Sequence, residues 1–299
     1  MGVFHEGERA AQRRAGVSAE ARSLGQGIAA AIPAGARPFL EAQRIAIVAA
    51  ADLKERLWAS LVTGKPGFIT APDEHTLSLA ATLPAADPIG ACLANDRPVG
   101  ILVFDPERRR RLRLNGRAKG GRAGHIDIRI EEVFGNCPKY IQARAPEEEI
   151  AHERTGGGRR SVALSAPQRL TIERADTFFI ASAHEGTGTD ASHRGGPPGF
   201  VRVVDERTLR FPDYAGNNMF QTLGNISTDP RVGLLFVDFD SGTTLQLTGR
   251  ARILWDPEGF PELTGAERAV EVEIDEVVEI AGEGPLGWRF LGYSPFNPR

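Results

Sequence analysis

The stretch from Asp190 to Phe239 has the clearest pattern of apolar and polar positions in the chain. Its residues alternate as in a strand, turn at Asp205-Glu206, alternate again and break at Pro212. A Gly-Asn-Asn turn at 216–218 follows, and then a short helix and an apolar strand. A Gly/Asn turn that opens a helix beside a sheet leaves backbone N–H groups free to hold a phosphate. We therefore predict that this stretch carries the functional site.

The N-terminal segment is rich in Ala, Arg, Glu and Gly. It predicts helices over about Glu6–Arg14 and Ser18–Ser23, packed as an arm, with a partly disordered tail as the alternative. Pro38 then starts another helix, and the apolar run Ile45–Ala51 predicts a strand.

The second half of the chain repeats the first. Pro66-Gly67-Phe68-Ile69 recurs as Pro198-Gly199-Phe200-Val201, a shift of 198 − 66 = 132 residues. Further blocks recur in the same order at shifts of 132, 133 and finally 144 residues: Val48–Ala51, Asp73–Leu77, Val99–Leu102, Leu112–Ala118 and Ile130–Val133. Because six blocks keep their order and nearly constant spacing, we predict an internal duplication.

Each copy reads as a helix, three strands, a short helix and three more strands. The links are mostly short hairpins, which favours a closed antiparallel barrel over a parallel sheet. The strands around Gly116 and Gly249 each contain an internal glycine, as expected for a bulge at a barrel corner. The predicted parts are an N-terminal helical arm (1–34), a first barrel (35–145), a flexible, Gly-rich linker (146–166) and a second barrel (167–299).

Composition narrows the class of protein. The 299 residues are 41% hydrophobic and 25% charged, with a net charge of −3, as in a globular protein whose surface is not built for nucleic acid. Two cysteines, Cys92 and Cys137, are too few for a disulfide framework and indicate a cytoplasmic location. No apolar run approaches the ~18 residues of a membrane span, so we expect no membrane association.

Three signatures carry a resemblance to a known family. They are FGNCPKYI at 134–141, SHRGG at 192–196 followed by PGFV at 198–201, and FPDYAGN at 211–217 with TLGN at 222–225 and DPR at 229–231. By these residues the chain resembles the pyridoxamine 5′-phosphate oxidase-related, FMN-binding split-barrel family, in its tandem-barrel group, over about residues 35–295. The resemblance implies a mainly β fold with flanking helices, two tandem split β-barrels, FMN as cofactor, and a flavin that sits between the barrels.

The chain also departs from true pyridoxamine phosphate oxidases. It has neither their Arg-Lys-Gly phosphate motif after the third strand nor their C-terminal Arg-Leu-x-Pro. The resemblance therefore does not imply oxidation of pyridoxamine phosphate itself.

FMN needs a phosphate cradle, because its phosphate carries about −1.5 to −2 charge near neutral pH. In the second copy, His193 and Arg194 offer donors and positive charge, and Gly195 lets the backbone come close. Arg202 follows on the next strand. We predict these four residues to be cofactor-binding; a solvated loop arginine is the alternative for Arg194.

The helix that follows Asn217 and Asn218 is predicted to be capped by them, which would line its positive end without adding negative charge. Plain turn chemistry is the alternative for this pair. In the first copy Asp87 stands near the matching helix start, and its carboxylate would repel a phosphate. We therefore place the phosphate site in the second copy and interpret the first as a degenerate partner.

The segment from Asn136 to Tyr140 is rich in donors. Lys139 or Tyr140 is predicted to reach the flavin or a substrate at the barrel seam, the alternative being a bulged strand end in which Cys137 packs as a small hydrophobe. No histidine lies at ligand spacing from Cys137, so we predict no metal site.

A basic run occupies Arg108–Arg111, Arg113, Arg117, Lys119 and Arg122. We interpret it as a solvated hairpin in which Leu112 and Leu114 face the core and the arginines face water. No aromatic residues interleave with it to stack bases, so we expect no nucleic-acid partner.

The function predicted from these residues is an FMN-dependent oxidoreductase that moves hydride or electrons between a reduced nicotinamide, NAD(P)H, or a small organic donor and an acceptor. No side chain stands out as an obligatory acid or base, so the catalytic residues are unknown and the cofactor would carry the chemistry. The alternative is a non-catalytic flavin- or haem-binding module that acts as carrier, sensor or partner of a reductase. A homodimer of the whole chain is compatible with either reading.

Overall fold

The computed structural model describes residues 3–120, 124–147, 157–282 and 287–298. Its helices are α1 (Glu6–Arg14), α2 (Ser18–Gly25), α3 (Arg37–Glu41), α4 (Ala166–Arg174) and α5 (Gln221–Thr228), with single 3-10 turns at Ala34–Ala36 and Pro257–Gly259. The two predicted N-terminal helices are present, the second ending at Gly25 rather than Ser23.

The strands divide between the two halves of the chain. Those of the first half are β1 (Ile45–Ala51), β2 (Leu57–Thr63), β3 (Ile69–Thr70), β4 (Thr76–Leu79), β5 (Pro98–Asp105), β6 (Arg110–Ala118), β7 (Ile126–Gly135) and β8 (Ala143–Pro146). Those of the second half are β9 (Gly158–Ser161), β10 (Thr177–His184), β11 (Gly188–Gly195), β12 (Arg202–Val203), β13 (Thr208–Asp213), β14 (Arg231–Val237), β15 (Thr244–Leu254), β16 (Arg268–Ile280) and β17 (Trp288–Gly292).

The two main sheets have the same strand order. The first runs β2-β1-β5-β6-β7-β4-β3 and the second β11-β10-β14-β15-β16-β13-β12, with β9 added beside β16. All of their strand pairs are antiparallel, as the short hairpin links predict. The fold is therefore mainly β with flanking helices, built as two tandem split barrels. The last strand, β17, returns to pair with β8, which ties the end of the chain to the first half.

The glycines inside the long strands make the predicted bulges. The register of β6 against β7 shifts between Asn115 and Gly116, and that of β15 against β16 shifts between Thr248 and Gly249. A Cβ at Gly116 would overlap the carbonyl oxygen of Arg129, and one at Gly249 would overlap that of Glu273. Glycine is required at both positions because the opposing backbone occupies the space of a side chain.

Each barrel has its own apolar core, and a third core lies between the barrels. This interface core takes Ile47, Leu61 and Phe104 from the first barrel and Phe179 and Leu235 from the second, all at most 3% exposed. Its two sides are alike: Gly100 lies against the backbone of Asp190 and Ala191, and Gly233 lies against Leu57 and Trp58. The shift of 233 − 100 = 133 relates these glycines in the sequence repeat, so the barrels pack in pseudo-twofold fashion.

Two expectations differ from the structure. Residues 84–95 of the first copy form turns, so Asp87 caps no helix; its carboxylate accepts instead from Ser60 Oγ and the Ile89 amide. Within the predicted linker, Gly158–Ser161 form strand β9, while residues 148–156, which include part of the Gly triplet, lie outside the described residues.

Among the described residues, no helix is both long and apolar enough to cross a membrane.

Replacement of Gly249 by Ala should destabilise the fold by about 1–3 kcal/mol, because the new methyl group would force the β15–β16 bulge apart. The measurement is the free energy of unfolding in urea. Gly135→Ala is the matched control, since a Cβ there meets nothing within 4 Å. An equal loss of stability in both variants would contradict the steric explanation.

Candidate functional site

A cleft opens where β6 of the first barrel faces β11 and α5 of the second. Positive and neutral donors dominate its wall: Arg111, Arg113, Asn136, Lys139, Tyr140, His193, Arg194, Tyr214, Asn217, Asn218, Gln221 and Arg268. The carboxylate that lines it, Asp213, accepts from Arg268 Nε at 2.9 Å and is therefore neutralised by that side chain.

Arg113 joins the two barrels at the floor of this cleft. It lies on β6, where the strand faces the interface, and its side chain is 7% exposed. Nη1 donates to Asp190 Oδ2 at 3.1 Å and to Gln221 Oε1 at 3.1 Å, and Nη2 donates to Ser192 Oγ. Burial raises the pKa of Asp190, and the neighbouring Arg113 opposes that rise. The contact sets the position of α5, because Gln221 is its first residue.

Arg111 lies two residues earlier on the same face of β6 and orients His193. Arg111 Nη1 is 2.8 Å from His193 Nδ1, and Arg111 Nη2 donates to the Cys137 carbonyl at 2.6 Å. Because a guanidinium only donates, Nδ1 of His193 accepts and the ring proton belongs on Nε2. Burial and then the charges of Arg111, Arg194 and Arg113 lower the pKa of His193 well below its usual value. His193 is therefore a neutral donor through Nε2.

Arg194 completes a group of three guanidiniums. Its Nη1 donates to Ser192 Oγ and to the His193 carbonyl, both at 3.1 Å. Burial lowers the pKa of Arg194, and burial followed by the charges of Arg113 and Arg194 lowers the pKa of Arg111 to about 9. Because Asp190 pairs with Arg113 and Asp213 pairs with Arg268, the guanidiniums of Arg111 and Arg194 give the site a surplus of positive charge.

Five buried side-chain nitrogens of the cleft have no hydrogen-bond partner among the described residues. They are Arg111 Nε, Arg113 Nε, Asn136 Nδ2, His193 Nε2 and Arg194 Nε. Every one is a donor, given the His193 tautomer above. Because a buried polar group without a partner costs about 1–3 kcal/mol, this set fits a ligand that is anionic and rich in acceptor oxygens.

At the mouth of the cleft, hydrogen bonds connect the two barrels. Asn217 Nδ2 donates to Asn136 Oδ1 at 2.6 Å, and Tyr140 Oη donates to the Ala215 carbonyl at 3.0 Å. The rings of Tyr140 and Tyr214 lie 5.1 Å apart, and burial followed by the influence of Tyr140 raises the pKa of Tyr214 to about 12. Both phenols therefore stay neutral at physiological pH.

The turn into α5 has an unusual backbone. Asn218 (φ 58°) and Phe220 (φ 63°) both adopt the left-handed conformation, which non-glycine residues take at a cost. Phe220 occupies the position before the helix, and no side chain caps it. The prediction that Asn217 and Asn218 cap the helix is wrong, since Asn217 Oδ1 accepts from the Met219 amide within the turn instead.

An acidic cavity lies behind the arginines. Its wall contains Glu8 of α1, Glu132 of β7 and Asp190, together with Asn115 and Gln221. Burial is the main cause of a pKa of about 8 at Glu8, and it also raises the pKa of Glu132. Glu8 therefore holds its proton near neutral pH and adds no full negative charge behind Arg113.

Seven of the eight residues predicted to bind the cofactor line this one cleft. They are Lys139, Tyr140, His193, Arg194, Gly195, Asn217 and Asn218. Gly195 is needed there because a Cβ would overlap the Tyr140 carbonyl oxygen. Arg202 is the exception: it is exposed on β12 and is not among the cleft residues.

Arg111 and Arg113 line the cleft but were not predicted as site residues. The basic run was interpreted as solvated, yet Arg113 is buried and Arg111 is enclosed in the cleft, while Arg108 and Arg110 face water. The interpretation failed because the outer face of β6 packs against the second barrel. The alternation of Arg111 and Arg113 on one face was the available signal.

The equivalent place on the other side of the interface has a different chemistry. The shifts of 192 − 60 = 132 and 246 − 113 = 133 put Ser60 where the cleft has Ser192, and Gln246 where it has Arg113. Gln246 Nε2 donates to Ser60 Oγ at 2.8 Å and to Asp87 Oδ2 at 3.2 Å, and these three side chains are at most 8% exposed. A carboxylate and an amide fill this place, so it does not offer an anion site.

A model of a known protein family matches the sequence of the second barrel. Residues 166–280 match the sequence model of the family described as pyridoxamine 5′-phosphate oxidase. The resemblance drawn from the motifs is thereby confirmed over the second barrel. No curated protein matches the chain.

Several solved structures are similar to a part of this chain about as long as one barrel. HupZ of Group A Streptococcus is 12% identical, with 41% of this chain and 98% of that chain covered and a TM-score of 0.34. An FMN-binding protein from Syntrophomonas wolfei is 8% identical (37% and 80% covered, TM-score 0.31), and a FAD-binding protein from Mesorhizobium loti is 15% identical (41% and 96% covered, TM-score 0.29).

The raised pKa of Glu8 predicts how stability depends on pH. The folded state keeps a proton up to about pH 8 that the unfolded chain releases near 4.5, so the free energy of unfolding should fall as pH rises between them. His5, whose pKa is lowered to about 4, acts in the opposite sense below its unfolded value of 6.5. Between pH 6.5 and 8 the free energy of unfolding should therefore fall by up to about 1.4 kcal/mol per pH unit.

Urea unfolding at several pH values across that window tests this expectation. Glu8→Gln should flatten the slope, because glutamine does not titrate, and Glu20→Gln, exposed on α2, should leave it unchanged. An unaltered slope in Glu8→Gln would show that Glu8 is ionised in the folded protein.

Proposed function

We propose that the protein binds FMN in this cleft, with the flavin phosphate held by the guanidiniums of Arg111, Arg113 and Arg194. The observation that carries the proposal is the set of five buried donors without partners. A phosphomonoester dianion supplies acceptor oxygens and negative charge in a compact group, which fits three converging guanidiniums opposed by one carboxylate.

The remaining cleft residues have roles that follow from their state. His193 Nε2 would donate to an acceptor atom of the ligand, and it would do so at all physiological pH values because the ring is neutral. Tyr140 and Tyr214 would cover the ligand at the mouth and exclude water. Lys139, whose ammonium lies 5.7 Å from the Phe296 ring, would meet the part of the ligand nearest solvent.

The reaction class we propose is electron transfer. Bound FMN would supply the redox chemistry, by accepting hydride or electrons from a reduced nicotinamide or a small organic donor. The protein would bind, orient and shield the reacting groups. His193 is a poor base here, because its pKa is well below the usual value and its Nδ1 already accepts from Arg111. Tyr140 and Tyr214 are poor bases because their phenols keep their protons near pH 7. The cleft would therefore act through hydrogen-bond donation and charge rather than through proton abstraction.

Arg194→Ala should weaken FMN binding ten- to hundredfold, because it removes a charge-assisted contact of about 1.5–3 kcal/mol. Titration of flavin fluorescence measures the dissociation constant. Arg202→Ala is the matched control, since Arg202 is an exposed arginine of the same barrel outside the cleft. Equal affinity in Arg194→Ala and the parent protein would refute the proposed phosphate position.

Oxidation of NADH or NADPH by the FMN-loaded protein, with an added electron acceptor, distinguishes an oxidoreductase from a module that only holds flavin. The absorption spectrum of the purified protein distinguishes flavin from haem before any turnover is measured.

One FMN should bind per chain, and the fraction of chains that hold FMN should not depend on protein concentration. Both barrels of one chain form the cleft, whereas its pseudo-twofold counterpart is filled by Gln246, Ser60 and Asp87. Linked barrels keep a high effective concentration for each other, so the site forms within one molecule. The measurement is flavin occupancy across a dilution series with light-scattering mass. Two flavins per chain, or release in step with dissociation of a dimer, would refute this arrangement.

A further inference from the structure

The N-terminal arm crosses from one barrel to the other behind the cleft. Its later part joins the first barrel through Ala29, whose amide and carbonyl both bond to Val133 of β7 at 2.9 and 2.7 Å. Its earlier part, α1, packs on α5 of the second barrel. The approach is close because a Cβ at Gly7 would overlap the Gly224 carbonyl oxygen.

One side chain of α1 reaches the turn that borders the cleft. Gln12 is 2% exposed, and its Nε2 donates to the Met219 carbonyl at 2.9 Å. Met219 stands between Asn218 and Phe220, the two residues with left-handed backbone, and both of these line the cleft. Gln12 is therefore bonded to the centre of the strained turn without touching the cleft itself.

The same turn is fixed by packing from the arm. Met219 is 4% exposed and lies in an apolar cluster with Phe4 and Ala21 of the arm and Phe134 of the first barrel. His5 Nε2 lies 2.9 Å from Asn225 Oδ1, which adds a polar contact between the arm and α5. Left-handed non-glycine residues persist where the surroundings hold them, and here the arm supplies those surroundings.

We infer that Gln12 is a positioning residue for the ligand site: through Met219 it holds Asn218, Phe220 and Gln221 in the arrangement that receives the ligand. The inference rests on the proposed function, since FMN is the ligand taken. It assigns a binding role to the N-terminal arm, which would otherwise be a structural appendage of the barrels. The arm prepares the site in advance, so the ligand does not have to order the turn when it binds.

The test compares Gln12→Ala with the parent protein by two measurements. Amide hydrogen exchange without ligand should be faster in Gln12→Ala at residues 218–222 and unchanged in strands β10, β14 and β15. The dissociation constant of FMN should rise about tenfold, because the Met219 carbonyl loses its partner and the turn samples other conformations.

Two control variants separate positioning from general stability. Arg13→Ala lies beside Gln12 on α1 but is exposed, and both measurements should match the parent. Ile172→Ala empties part of the second barrel's core at a residue that does not line the cleft, and it should lower the unfolding midpoint without changing the FMN dissociation constant. Gln12→Met nearly keeps the size of the side chain and removes the donor, so it should behave like Gln12→Ala.

The possible outcomes decide between the two proposals. If the parent binds FMN and Gln12→Ala binds it equally well, the inference is wrong. If the parent binds no FMN, the proposed function fails, and hydrogen exchange alone decides the inference: faster exchange at 218–222 in Gln12→Ala supports it, and unchanged exchange refutes it.

Discussion

The buried contact between Arg113 and Asp190 is the constraint on which the cleft depends. It crosses from β6 of the first barrel to β11 of the second, and both side chains are at most 7% exposed. Desolvation makes such a pair a weak source of net stability, but removal of one partner typically costs about 3–5 kcal/mol. Its value here is geometric: it fixes the register between barrels and places Gln221, and with it α5, beside the arginines.

The surplus of positive charge follows from that contact. Once Arg113 is buried with Asp190, Arg111 on the same face of β6 is enclosed in the cleft, and no second carboxylate pairs with it among the described residues. Burial and then the charges of these guanidiniums lower the pKa of His193, because a further buried cation beside them would be strongly disfavoured. A site of this kind stores unfavourable electrostatic energy that a bound anion can relieve.

The pseudo-twofold packing makes the difference between the two sides informative. The interface repeats its backbone contacts, with Gly100 against Ala191 and Gly233 against Trp58, so the scaffold would allow two sites. Side-chain chemistry removes one of them: Gln246 and Asp87 stand where the other side has guanidiniums and open space. The N-terminal arm increases the asymmetry, since α1 packs against α5 of the second barrel, and residues 84–95 of the first barrel form turns instead of a matching helix.

Local pattern determined much of this protein. The spacing of repeated blocks predicted two units with like strands, the glycines at 116 and 249 predicted the bulges, and the motifs predicted seven residues of the cleft, because strand periodicity, glycine conformation and turn chemistry are properties of short segments. Only the tertiary structure decided the state of Arg111 and Arg113 and the role of Gln12. A basic strand is expected to be solvated unless another element packs on its outer face. Here that element is the second barrel, which is distant in the sequence. Gln12 and Met219 are 207 residues apart, so no local signal could connect them.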